Sequence, residues 1–122
     1  MAWLTIQTVL QLIVGLGLLN VWLLRSGSPT SYRGGTATSL KQEFSAYGLP
    51  DVLFWIVGAL KVTSGLVLIA GVWIPLPVDA AASVVAALMV GALAMHLRVS
   101  DPLKKSVPAF LMLVMCLAIL GL

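Results

Sequence analysis

A lysine in the middle of an oily stretch constrains this chain more than any other feature. Val52 to Ile74 reads VLFWIVGALKVTSGLVLIAGVWI, 23 residues, enough to cross a bilayer as a helix. Lys61 stands near its centre. A cation at bilayer depth costs at least ~2.5–3.5 kcal/mol on insertion scales. It is tolerated where it faces protein, water or a ligand, or where its stem lets the amine snorkel toward an interface.

The remaining residues agree with a membrane setting. The 122 residues form one domain at most, 61% apolar and 9% charged, against roughly 45–50% and 25% in soluble domains. The apolar residues come in long blocks and do not alternate with polar ones. The net charge of +3 is no nucleic-acid footprint, because the basic residues are split between two loops and one helix. The bilayer is the expected partner. Cys116 is the one cysteine, which excludes an internal disulfide and a cysteine-rich metal site; it reads as a small buried hydrophobe. The N-terminus lacks a basic region, and its apolar run exceeds the ~7–15 residues of a signal peptide's core, so it reads as a retained helix.

Four spans are expected within a single membrane domain, at about 3–24, 51–74, 79–97 and 107–122. The fold class is all-α, an antiparallel four-transmembrane-helix bundle with a short interfacial helix in the first loop. In the first span Trp3 and Trp22 stand near the ends as interfacial aromatics, while Gln7, Gln11 and Gly15 share one face, the pattern of a helix–helix contact. The polar loop 25–50 begins rich in Gly, Ser, Thr and Pro. Its second half predicts a helix over 39–47, capped by Ser39 with Gln42 at the capping-box position and stopped by Gly48 and Pro50. Leu40, Phe44 and Tyr47 form its apolar stripe, with Lys41, Gln42 and Glu43 facing away; the membrane surface and the end of the bundle are both suitable seats. Pro75–Val78 is so short that spans two and three must be an antiparallel hairpin. The third span is rich in alanine, which favours close packing. The fourth ends with the chain.

Arg25, Arg33 and Lys41 fall in the first loop, and Arg98, Lys104 and Lys105 in the third. The positive-inside rule therefore puts loops one and three in the cytoplasm and both termini on the outer side of the cell membrane.

Lys61 is the basic residue outside this pattern. Phe54, Gly58, Ser64, Gly65 and Leu68 share its face, and the glycines leave room beside the amine for a helix or a ligand. Glu43, Asp51, Asp79 and Asp101 all lie at span ends; Asp51 is about 15 Å away along a helix. The lysine must therefore be neutral, hydrogen-bonded to a group such as Gln11, placed in a wet cavity, or paired with something the chain does not encode. One reading is a polar pocket of Lys61, Gln11, Gln7, Ser64 and His96 around a lipophilic ligand. The other is an amine held by backbone carbonyls or snorkelling. His96, the single histidine, suits a satisfied interfacial role, a proton relay or a hydrogen bond to a quinone. The Tyr32–Gly35 turn, with Arg33, and the interfacial Arg98 could meet an anion or lipid headgroup, or simply set topology. Phosphate-loop, dinucleotide, zinc-protease and hydrolase motifs are all missing, and no metal site is expected.

EFSAYGLP before span two, GALKVTSGLVLIAGVWIPL through it and MHLRVSDP closing span three resemble the DoxX-like family of small four-span membrane proteins. Lys61 departs from the acidic residue that many members carry at this point. The resemblance implies an antiparallel four-helix bundle. It also implies a range of roles: sulfur or thiol oxidation, including subunits of a thiosulfate:quinone oxidoreductase, accessory parts of membrane redox complexes, and receptor assembly.

The expected function is accordingly an accessory or assembly subunit of a redox-linked membrane complex, working with other membrane subunits or as a homo-oligomer. The alternative is a catalytic or ligand-binding subunit that holds a quinone or other lipophilic molecule near Lys61. A small transporter is a third reading, resting on one lysine and two glutamines.

Overall fold

The structure is a computed structural model that describes residues 4–27 and 32–121. Trp3 and Leu122, the expected ends of the outer spans, lie outside those residues, as does part of the first loop.

Thr5 opens helix α1 (Ile6–Leu19): its hydroxyl accepts the Thr8 N–H while the Thr8 hydroxyl accepts that of Thr5, which satisfies two otherwise orphaned donors. The helix widens into a π turn over Asn20–Leu24, closed by Arg25 N–H donating to the Asn20 carbonyl at 2.9 Å. Helix α2 (Leu40–Ala46) lies in the first loop, followed by α3 (Asp51–Ala70), α4 (Val78–Arg98) and α5 (Leu103–Gly121). Four helical stretches, Ile6–Leu24, α3, α4 and α5, are long and apolar enough to cross a membrane. Helices suit such a chain because every interior N–H and C=O bonds within its own segment, as a hydrocarbon environment demands. The described residues form no strand.

The four long helices make a bundle in which α1 lies against α3 and α5, and α4 against the same two. Its core is built from Val14 and Leu18 of α1, Leu68 of α3, Ala82, Val85 and Met89 of α4, and Cys116 and Ile119 of α5. Lipid tails are as apolar as these side chains, so close van der Waals contact has to hold the helices together. Glycine supplies it between α1 and α3. A Cβ on Gly15 would sit 2.6 Å from Ile69 and 2.8 Å from the Gly65 carbonyl, and one on Gly65 would sit 3.2 Å from the Gly15 carbonyl. The space beside Lys61 that Gly58 leaves is filled by the π turn that follows α1: a Cβ there would lie 2.6 Å from the Trp22 ring.

Three local expectations change. Trp22 is no interfacial anchor; it is 9% exposed and stacked among Phe44, Phe54 and Leu40, because the first loop folds back over it. Helix α2 sits on the end of the bundle, and Glu43 turns inward, 9% exposed. Glu43 is three residues after Leu40 and four before Tyr47, so helical geometry puts it on the same side as both. Helix α5 starts at Leu103, just after Pro102, and carries Pro108 in its second turn, so Lys104 and Lys105 are helical.

The caps of α2 follow its sequence closely. The Ser39 hydroxyl accepts the Gln42 N–H, although the Gln42 carboxamide reaches back to Thr38 and leaves the Ser39 N–H aside. Gly48, at φ +77°, ends the helix: its N–H donates to Ser45 and that of Leu49 to Phe44, a Schellman arrangement that needs a left-handed residue.

Candidate functional site

The first loop and the four long helices line an open-sided cavity of about 550 Å³ toward the loop end of the bundle, within the range of small-molecule sites. Its polar lining includes Arg25, Arg33, Glu43, His96 and Lys105, with Lys61 on one wall. Leu18, Met89, Ala92, Ala109 and Met112 make the apolar part.

A continuous set of polar contacts crosses the loop end. Arg33, 7% exposed, donates from Nη2 to the Arg25 carbonyl at 2.7 Å and places Nη1 3.6 Å from Glu43 Oε2. Tyr47 Oη donates to Glu43 Oε1 at 2.6 Å and lies 3.4 and 3.5 Å from the two ring nitrogens of His96. His96 Nδ1 is 2.8 Å from Asp101 Oδ2. The second oxygen of Asp101 accepts the Gly35 N–H at 3.0 Å and lies 3.7 Å from Lys105 Nζ, which donates to the Gly35 carbonyl at 2.7 Å.

Local backbone chemistry places each of these groups. Helix α4 ends with Ser100 at φ +57°, a conformation that costs a non-glycine residue about 1 kcal/mol. The Asp101 N–H then donates to the His96 carbonyl at 2.9 Å, and this reversal brings the carboxylate back onto its own helix's imidazole. On the opposite side, Gly34 passes so close to the Tyr47 ring that a side chain there would collide with it, and Gly35 takes φ +56° to offer its N–H to Asp101.

The electrostatics reinforce the contacts. Burial pushes the Tyr47 hydroxyl well above its ordinary range, and the Glu43 carboxylate beside it adds to the effect, so Tyr47 remains a proton donor. Burial alone would raise the Asp101 carboxyl; the hydrogen bonds from His96 and Gly35 and the charge of Lys105 outweigh it and hold the group below the usual carboxylate range. With Nδ1 committed to Asp101, His96 has Nε2 left for Tyr47 or a cavity occupant.

Lys61 is half-buried, and its Nζ lies over the Trp22 ring, 5.5 Å from the centroid. That ring covers Gly58, three residues nearer the loop end, so the amine leans from mid-span toward the cavity. The structure thus places Lys61, Arg33 and His96 on one cavity. Gln7, Gln11, Ser64 and Arg98 do not line it. Gln11 Nε2 donates to the Leu68 carbonyl at 3.0 Å and Gln7 Nε2 to that of Ile119 at 3.1 Å, both far along the bundle, so Gln11 is no partner for Lys61. Ser64 faces a smaller hollow of about 140 Å³ beside α4, and Arg98 is exposed. The anions that the Arg33–Gly35 turn meets here are internal, Glu43 and Asp101.

Glu43, Tyr47 and Asp101 were missed as site residues by sequence reasoning. Glu43 and Tyr47 stand four apart on one short helix, and Asp101 follows the single histidine by five, signals that become pointed only once the loops are docked. Among the described residues no group of three or more metal-ligating side chains occurs.

Comparison with known proteins gives a family but no individual relative. The model of the DoxX-like family matches residues 14–119, nearly the whole chain. No curated protein and no solved structure matches it. With four spans in one bundle and that match across them, the chain is a small integral membrane protein that belongs to the DoxX-like family.

Proposed function

We propose that this protein binds a lipophilic molecule with a polar head in the loop-end cavity, and that it does so as a subunit of a membrane complex. The observation that carries this reading is the cavity itself: about 550 Å³, lined by both charged groups and apolar side chains. An amphiphilic hollow among apolar helices matches a molecule that enters from the lipid. A quinone is one such molecule: its carbonyls would accept from Lys61, and its ring would occupy the space bounded by Leu18, Met89 and Met112. The sequence-based expectation of an accessory or assembly subunit makes no use of this cavity, and Gln7 and Gln11 contribute helix–helix bonds in place of ligand contacts.

In the same reading loops one and three face the cytoplasm, since six of the seven basic residues stand on that side. The site would then open to the cytoplasmic leaflet.

Native mass spectrometry of the full chain, followed by titration with a short-chain quinone in phosphatidylcholine nanodiscs, tests the proposal. Saturable binding that quenches Trp22 fluorescence is expected, weakened in Met89→Trp, which fills the floor. A chain that binds neither quinone nor any co-purifying lipophile while assembling normally with its partners would return the function to scaffold or assembly. Labelling of single cysteines introduced at exposed loop positions, with buried Cys116 as internal control, tests the orientation.

A further inference from the structure

We infer that the occupant of this cavity carries an anionic head, a carboxylate or phosphate on an acyl tail, and that Lys61 is its counter-ion. The inference rests on the ligand-binding reading and names the chemistry of the head.

The carboxylates near the cavity are already engaged. Glu43 is held by Arg33 and by the Tyr47 hydroxyl, while Asp101 is held by His96, the Gly35 N–H and Lys105. Among the described residues no ion pair includes Lys61 or Arg25, though both line the cavity. Of the four cations in the lining, Arg33 is paired with Glu43 and Lys105 with Asp101, which leaves Lys61 and Arg25 in excess.

Magnitudes decide what this excess means. The Trp22 ring offers Lys61 a cation–π contact of about 0.5–2 kcal/mol. Placing the cation at this depth costs at least ~2.5–3.5 kcal/mol. The ring therefore offsets part of the cost at best, and leaning toward the loop end relieves a further share. A low-dielectric hollow whose unpaired charges are of one sign concentrates their field on whatever enters. The Glu43 carboxylate across the lining favours the cation from a distance, and an anion at Lys61, with exposed Arg25 at the rim, adds the direct contact that a neutral head does not.

The shape of the lining agrees. The lining also holds Leu18, Ala92 and Ala109 and two methionines, Met89 and Met112, whose flexible side chains adapt to a tail. The volume suits one single-chain, drug-sized molecule. A free fatty acid and one arm of an anionic phospholipid offer the same head-and-tail chemistry.

The test uses the full chain in phosphatidylcholine nanodiscs and compares oleate with oleyl alcohol at a pH where the carboxylate is ionised. Oleate is expected to bind about tenfold or more tightly, a difference of about 1.4 kcal/mol per decade. Lys61→Met should erase that preference and Lys61→Arg keep it. Equal affinities for oleate and the alcohol in the wild type would overturn the anionic head while leaving the cavity's ligand role intact. Binding of neither would sink both. Should Lys61→Met fail to fold, the wild-type pair still decides. Replacing part of the phosphatidylcholine with phosphatidylglycerol identifies the source: displacement of oleate supports a phospholipid occupant, and undisturbed oleate binding supports the free acid.

Discussion

At the hairpin end of the bundle, Gln7 and Gln11 each reach across to a helix carbonyl, and glycines bring α1 and α3 nearly into backbone contact. At the loop end, Arg33, Glu43, Tyr47, His96 and Asp101 bond to one another around a hollow. Both ends bury polar side chains in an apolar bundle, yet by different means. A glutamine on a backbone carbonyl consumes its hydrogen bonds in holding two helices together. A set of ionisable groups bonded to one another and to the loop backbone keeps charge and exchangeable protons beside a cavity. Polarity alone therefore does not mark a site in a membrane bundle; polarity adjoining space does.

The largest effect that would separate the ends is expected from Glu43→Ala. It removes the carboxylate paired with the buried Arg33 guanidinium, and losing one partner of a buried ion pair costs about 3–5 kcal/mol. The damage should be confined to the loop end, with the first loop undocked and the four spans intact. Hydrogen exchange resolved by segment would show it; equal loss of protection at both ends would mean that the ends are not independent. Gly15→Val attacks the other end. A Cβ there would lie 2.6 Å from Ile69 and 2.8 Å from a backbone oxygen, and overpacking of that kind costs about 1–3 kcal/mol or more. Thermal unfolding in detergent should fall while the Tyr47–His96 contact persists.

A pH titration probes the polar contacts of the loop end. Asp101 has its folded-state pKa lowered, so its stabilisation is present above the ordinary carboxylate value of ~3.9 and is lost as pH falls through the depressed folded value. Tyr47 has its pKa raised, so its contribution is present below ~10 and fades as pH rises through the folded value. The Gly35 amide resonance should shift in acid as Asp101 takes up a proton. A smaller effect is expected from Gln11→Leu. The Leu68 carbonyl it would release already lies within a helix, and hydrogen bonds between membrane helices average about 0.6 kcal/mol. A loss several times larger would give Gln11 a role beyond bridging α1 and α3.

Much of the architecture was legible without coordinates, because long apolar runs leave a backbone few alternatives in lipid. The capping of α2 by Ser39 and its stop at Gly48 were equally plain, as both depend on neighbouring residues. The site was legible only in part. Lys61, Arg33 and His96 stood out as costly or solitary. Gln7, Gln11 and Ser64, grouped with Lys61 by helical spacing, face other neighbours, since spacing gives a face of one helix and not what lies opposite. Glu43 was assigned outward from its charge, although its position between Leu40 and Tyr47 allowed either side.

The amino-acid pattern by itself determined the number of spans, their helical form and the short link that makes α3 and α4 neighbours, because these follow from local hydrogen bonding and hydrophobic length. Tertiary structure alone decided where the first loop lands. Gly34 and Gly35 dock onto Tyr47 and Asp101, some 66 residues apart in the chain for the Gly35–Asp101 bond. That docking buries Trp22 and Glu43 and turns a membrane lysine into one wall of a cavity. A contact of that kind depends on shape and charge meeting across the fold, which no local stretch of sequence encodes.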